Sequence, residues 1–171
     1  KKSPIGDRNW TDESRELFIR LLASGPALLN VWEDIDFIDV PGKLIPEWLG
    51  VRNRPSASAA HRYTIDRHMV EVVTRLGRET PSGGRYDDRH YEALLLAGIL
   101  HDIGKRPGVA NHAAEGARHA TVVVERMGFD RDIVRWVTLL VREHLTLSEF
   151  TTGRNPNDPN VGDDLAGRLD H

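Results

Sequence analysis

The sequence predicts a single all-α domain of about six to seven helices. Apolar residues recur at helical spacing in segment after segment. The segment boundaries carry helix caps, glycines and prolines. Few stretches alternate as a half-buried strand would, and even the β-prone run VTLLV, Val137 to Val141, sits inside a longer helical period.

The first helix is expected from Asp12 to Ser24. Thr11 is its N-cap, Asp12 and Glu13 suit the N-terminal dipole, and Gly25-Pro26 ends it. Leu17, Phe18, Leu21 and Leu22 form its apolar face. A second helix follows from Pro26, a good first-turn residue, and carries Leu28, Leu29, Val31, Trp32 and Ile35. Asp39 to Ser58, rich in proline and glycine, reads as an irregular connector with a short turn at Pro46-Glu47-Trp48. Further helices are predicted over His61–Arg78, Asp88–Ile103, Ala113–Met127 and Arg131–Leu145, with a loop at Thr80–Arg85. Gly128 closes the fifth and Asp130 caps the sixth. A last helix is expected from Pro159, capped by Asp158.

A chain of 171 residues suits one domain with a core of its own. It has no cysteine, which removes disulfide and thiolate chemistry. The net charge of −3 leaves no electrostatic footprint for nucleic acid. No apolar run approaches the roughly 20 residues that span a bilayer, and no apolar stretch follows the first lysines as in a signal peptide. These features lead us to expect a cytoplasmic protein with neither nucleic acid nor membrane as partner. The missing initiating Met suggests a piece cut from a longer protein, with residues 1–171 as one domain.

The informative stretch is LLLAGILHDIGK, Leu94 to Lys105, an apolar helix that ends in His101, Asp102 and Lys105. Burying an adjacent imidazole and carboxylate without partners is costly. His68, His112, His144 and Asp158 also end or interrupt helical segments. Neutral imidazole and ionised carboxylate are natural ligands for a divalent cation of intermediate hardness. Lys105 lies four residues after His101, where its charge suits a phosphate held near such a cation. Taken singly, His144 and Lys105 read as C-terminal dipole partners and Asp158 as an N-cap. His61, His90 and His119 are expected on the surface or behind the site, and the terminal His171 carries no signal.

His68, the His101-Asp102 doublet and Asp158, in that order, resemble the HD superfamily of metal-dependent phosphohydrolases. The text around them is more specific. HRYTIDRHMVEVV, LLLAGILHDIGKRPGVANHAAEGA, WVTLLVREHLTLSE, NDPNV and the upstream LIPEW are similar to the HD domain of the bifunctional uridylyltransferase/uridylyl-removing family of PII nitrogen signalling, actinobacterial members in particular. That resemblance implies an HD-type helical domain which removes UMP or AMP from a modified tyrosine of PII. It implies His68, His101, Asp102 and Asp158 as metal ligands. His112 and His144 match further site histidines that can hold a second metal or a phosphate, and Lys105 matches a phosphate contact. Asp102, Lys105, His112 and His144 are thus the candidate catalytic residues. The implied cofactor is a divalent metal, Mn²⁺ or Mg²⁺ ahead of Fe²⁺ or Zn²⁺. The implied partner is PII carrying a nucleotidylated tyrosine.

Two other readings stand beside this one. The first is an HD hydrolase of a free nucleotide. HDIGK fits a guanosine tetraphosphate hydrolase poorly, and no Gly-Tyr-Pro motif follows it as in cyclic-dinucleotide hydrolases. The second is a catalytically silent helical module that transmits a signal. Metal binding separates it from the hydrolases.

Overall fold

The computed structural model describes residues 10–56, 63–77, 87–146 and 166–167. Among them lie seven α-helices: α1 (Asp12–Leu22), α2 (Ala27–Phe37), α3 (Val40–Leu44), α4 (Ile65–Leu76), α5 (Asp88–Leu100), α6 (His112–Arg126) and α7 (Arg131–Arg142). A 3₁₀ turn, Pro46–Gly50, follows α3. The described residues contain no strand, only an isolated bridge between Pro55 and Thr64. None of the described helices is long and apolar enough to cross a membrane.

The capping chemistry follows the sequence. Thr11 Oγ1 accepts from Ser14 N at 3.1 Å, Asp87 from His90 N at 2.8 Å and Asn111 from Ala114 N at 2.9 Å. Asp130 accepts from both Asp132 N and Ile133 N. Each such bond satisfies a backbone donor with no partner inside the helix and stabilises its helix by about 1 kcal/mol.

The boundaries differ where tertiary contacts decide them. α1 stops at Leu22, short of Ser24, and the chain turns through Gly25 at φ 59°. Part of the expected connector is helical, because α3 takes Pro41 into its first turn, where proline forfeits no hydrogen bond. α4 begins at Ile65, not His61: Ile65 N donates to Arg54 O, and Asp66 Oδ2 accepts from Asn53 N. These bonds tie the start of α4 to the preceding loop. α5 and α7 each end three residues before the predicted Ile103 and Leu145, and the residues beyond form turns. The expected helix from Pro159, with Asp158 as its cap, lies outside the described residues.

α5 is the centre of the domain. Tyr91, Ala93 and the whole run Leu95–Leu100 are buried, so its surface is covered on nearly every side. α4, α7 and α1 pack against it, and α6 packs mainly on α7. α7 is strongly two-faced, burying Ile133, Val137 and Val141. Trp32 and Trp48 meet at 5.2 Å and join α2 to the 3₁₀ turn. The C-terminus of a central helix is thereby surrounded by its neighbours' ends, and that is where the His-Asp doublet sits.

Leu96 is fully buried on α5. Leu96→Ala should cost about 2–5 kcal/mol of unfolding free energy through lost transfer energy and a cavity. Urea denaturation followed by far-UV circular dichroism measures it.

Candidate metal centre

His101 caps α5 in the right-handed helical conformation. Its Nδ1–H donates to the carbonyl of Gly98, three residues back, at 2.8 Å. His144, just beyond α7, repeats the arrangement: its Nδ1–H donates to Val141 O at 2.7 Å. A carbonyl can only accept, so in its neutral form each ring carries its proton on Nδ1 and presents the Nε2 lone pair. A backbone partner of this kind fixes tautomer and ring orientation in metal-ligating histidines.

Those lone pairs converge on Asp102, whose residue is 3% exposed. His101 Nε2 stands 3.7 Å from Oδ2, while His112 Nε2 at 3.7 Å and His144 Nε2 at 3.4 Å face Oδ1. Lys105 Nζ pairs with Oδ2 at 3.2 Å. His68, on α4, completes the ring chain. Its centroid is 5.1 Å from that of His101, His101 is 5.3 Å from His144, and His144 is 5.6 Å from His112. Donor atoms of His68, His101 and Asp102 lie within 4.8 Å of one another, as do those of Asp102, His112 and His144. Asp102 belongs to both groups.

This donor set fits a divalent cation. The buried Nε2 atoms of His112 and His144 have no hydrogen-bond partner, and they face a carboxylate across a gap that a shared cation would fill. The electrostatics agree. Burial, opposed by Asp102, lowers the His101 pKa to about 4, so its ring is neutral near pH 7. Burial also lowers His112, partly offset by Asp102. Burial alone would raise the Asp102 pKa, but a hydrogen bond with His144, the charge that His101 takes on once it is protonated in acid and the Lys105 ammonium hold it well below the usual carboxylate range. Neutral imidazoles around an ionised carboxylate are what metal ligation requires.

Five of the sequence-predicted residues other than Asp158 are thus in one cluster, His68, His101, Asp102, His112 and His144, with Lys105 beside them. Asp158 lies outside the described residues, as do His61 and His171. His90 is on the surface, stacked on Trp136 at 4.2 Å. His119 is more enclosed than expected, at 13% side-chain exposure, with Nε2 3.0 Å from Glu115 Oε1. An apolar hollow of about 590 Å³ between α1, α2 and α3 lies elsewhere, walled by Trp10, Phe18, Trp32 and Ile45. Among the described residues its lining includes no carboxylate or imidazole.

Gly104 is a site residue that sequence reasoning passed over. A Cβ there would lie 2.3 Å from Gly116 N and 2.4 Å from His112 O. The turn after the doublet packs directly onto the α6 backbone, bringing His112 to Asp102. The available signal was Gly116, a glycine inside a helix where a packing reason is the usual one.

No family model and no solved structure matches the chain. Among curated proteins, the bifunctional uridylyltransferase/uridylyl-removing enzyme of Streptomyces coelicolor is 39% identical over 151 residues, which are 88% of this chain and 17% of that protein. Its counterpart in Mycobacterium tuberculosis H37Rv is 35% identical over 88% of the chain and 18% of its own length. The Caulobacter vibrioides NA1000 protein is 34% identical over 83% and 16%. The chain is similar to a segment of bifunctional uridylyltransferase/uridylyl-removing enzymes. It spans about one sixth of the length of these relatives. The similarity to uridylyl-removing enzymes accords with a site of imidazoles, carboxylate and ammonium.

Two outcomes follow from the geometry. Gly104→Ala places a methyl group against rigid backbone, so it should cost at least about 1–3 kcal/mol and separate His112 from Asp102. Thermal unfolding, together with Mn²⁺ binding followed by electron paramagnetic resonance, reads both. In metal-free protein His101 should stay neutral down to about pH 4. Its folded pKa lies below the unfolded value of roughly 6.5, so the unfolded chain takes up this proton first. The contribution is complete above about pH 6.5 and is lost as pH falls toward 4. Ring ¹⁵N chemical shifts follow the titration, and a His101 midpoint between pH 6 and 7 would contradict it.

Proposed function

We propose that this chain is the HD domain of a longer cytoplasmic enzyme and acts as a metal-dependent phosphodiesterase. Its substrate is the bond between a tyrosyl oxygen of PII and the 5′-phosphate of UMP or AMP. The observation that carries the reading is a buried ionised Asp102 faced by imidazole Nε2 atoms at 3.4–3.7 Å and by Lys105 at 3.2 Å. Family resemblance supports the substrate class.

His68, His101 and Asp102 would hold one divalent cation, with Asp158 joining them on the strength of the resemblance. His112 and His144, across Asp102, would hold a second. A cation there supplies an activated water near neutral pH and polarises the phosphoryl oxygens. Several imidazoles with a carboxylate suit Mn²⁺ better than Mg²⁺, which prefers oxygen ligands.

The chain's own groups supply the rest. Asp102 provides the negative charge and orients the shared site. Lys105, on a flexible stem, can transfer its ammonium from Asp102 to the phosphoryl oxygens and offset the charge that develops there. The leaving tyrosyl oxygen, with a pKa near 10, needs little assistance. Where a single cation is bound and His112 and His144 are not ligands, His112, at 26% side-chain exposure against 13% for His144, is the better placed of the two to reach it with a proton.

The direct test incubates Mn²⁺-loaded protein with uridylylated and adenylylated PII and follows release of UMP and AMP by chromatography. Release of one nucleotide supports the reading and names the nucleoside. Hydrolysis of free nucleotides alone would make this a nucleotide hydrolase, and failure to bind metal would make it a silent helical module. Asp102→Asn keeps the shape but removes the charge. It should reduce turnover by at least about 100-fold, corresponding to roughly 2.7 kcal/mol of barrier, while far-UV circular dichroism stays unchanged. Full turnover in the Asn variant, freed of wild-type enzyme, would overturn the mechanism.

A further inference from the structure

Lys105 reaches Asp102 from a turn rather than from the rigid end of α5, because that helix stops at Leu100. Something must hold the turn. Backbone bonds do part of this: Lys105 N donates to Asp102 O at 2.9 Å and Arg106 N to Gly104 O at 2.9 Å. The next side chain, Arg106, turns away from the Asp102 cluster, toward Glu115 and His119. Its guanidinium crosses to the 3₁₀ turn, where Nη2 donates to the carbonyl of Glu47 at 2.9 Å. It lies so close over Gly50 that a Cβ there would stand 2.4–2.7 Å from Nε, Cζ and Nη2. Arg106 is half-buried and its Nε has no hydrogen-bond partner, so Glu47 and the Gly50 seat are what fix the head group.

The receiving turn is itself anchored. The Glu47 carboxylate takes a two-pronged pair from Arg126 near the end of α6, Nη1 to Oε1 at 2.9 Å and Nη2 to Oε2 at 2.6 Å. Trp48, beside it, is buried against Trp32. Glu47 therefore receives Arg106 on its backbone and Arg126 on its side chain. Arg106 is bound to a fixed point, and Lys105 precedes it in the chain.

We infer that Arg106, seated on Glu47 O and Gly50, is a positioning residue that aims the Lys105 ammonium at the phosphate of the substrate. It touches neither metal ligands nor phosphate and acts only through Lys105. The inference rests on the phosphate role of Lys105 proposed above and adds a residue 59 positions from its partner Glu47 to the site's construction.

The test uses the 171-residue chain loaded with Mn²⁺ and inorganic phosphate as the probe, with affinities from isothermal titration and Mn²⁺ occupancy from electron paramagnetic resonance. Lys105→Ala should weaken phosphate binding by about tenfold, 1.4 kcal/mol. Arg106→Ala should weaken it by about three- to tenfold with Mn²⁺ affinity unchanged within twofold, and Arg106→Lys should recover part of the loss. The Lys105→Ala/Arg106→Ala double variant should bind phosphate no more weakly than Lys105→Ala alone, as expected when one residue acts through the other. Gly50→Ala serves if Arg106→Ala fails to fold. Its methyl group meets only the far end of a flexible side chain, and it should reproduce the phosphate defect.

Additive losses would show that Arg106 acts independently of Lys105 and would overturn the inference while leaving the lysine's role intact. Undiminished phosphate binding in Arg106→Ala or Gly50→Ala would overturn it as well. Undiminished binding in Lys105→Ala would instead remove the lysine's phosphate role, and the inference with it. Parallel loss of Mn²⁺ would make Arg106 a general support of the fold.

Discussion

The burial of one ionised carboxylate governs the arrangement of this domain. Asp102 is 3% exposed at the end of the most enclosed helix. A charge taken out of water is tolerated only when paired and hydrogen-bonded. The molecule meets that constraint with helix ends: His101 from α5 itself, His112 from the start of α6, His144 from beyond α7 and Lys105 from the following turn. All four groups approach one carboxylate, and the helices that deliver them are the ones that cover α5 or pack on its neighbours.

Such convergence depends on close packing as much as on charge. Gly104 lets the turn after Asp102 lie against the backbone of α6, with no room for a methyl group between them. Without that approach His112 could not face Asp102 Oδ1. The imidazoles are oriented locally as well, since His101 and His144 each lose Nδ1 to a carbonyl three residues back. The two effects divide the work. Local hydrogen bonds choose which nitrogen is presented, and interhelical packing chooses what it is presented to.

The same division explains why the apolar hollow by α1 and the polar site are separate features. The hollow is a consequence of aromatic and aliphatic side chains from α1, α2 and the 3₁₀ turn meeting imperfectly. In the polar site Nε2 of His112 and His144 are enclosed. Chemistry on a phosphate needs ordered charge, and it is the polar site that holds it.

The all-α class, the caps at Thr11 and Asp130, and the chemical character of the site could be read along the chain, because each depends on residues a few positions apart. Helix period, N-cap bonds and the His101-Asp102 doublet are local facts. The late start of α4 was not legible, since it depends on bonds from Asn53 and to Arg54 across a loop. Nor was α3, whose residues read as a proline-rich connector. Family resemblance named His68, His112 and His144 as companions of the doublet, but periodicity alone could not have brought them together. Only the packed structure decided that Asp102 is shared by two groups of ligands, that Lys105 pairs with it directly, and that Gly104 meets Gly116. Those contacts join helix ends far apart in sequence, and their distances are set by how side chains of α4, α5, α6 and α7 fill the space between the helices, a property of volumes in three dimensions rather than of order along the chain.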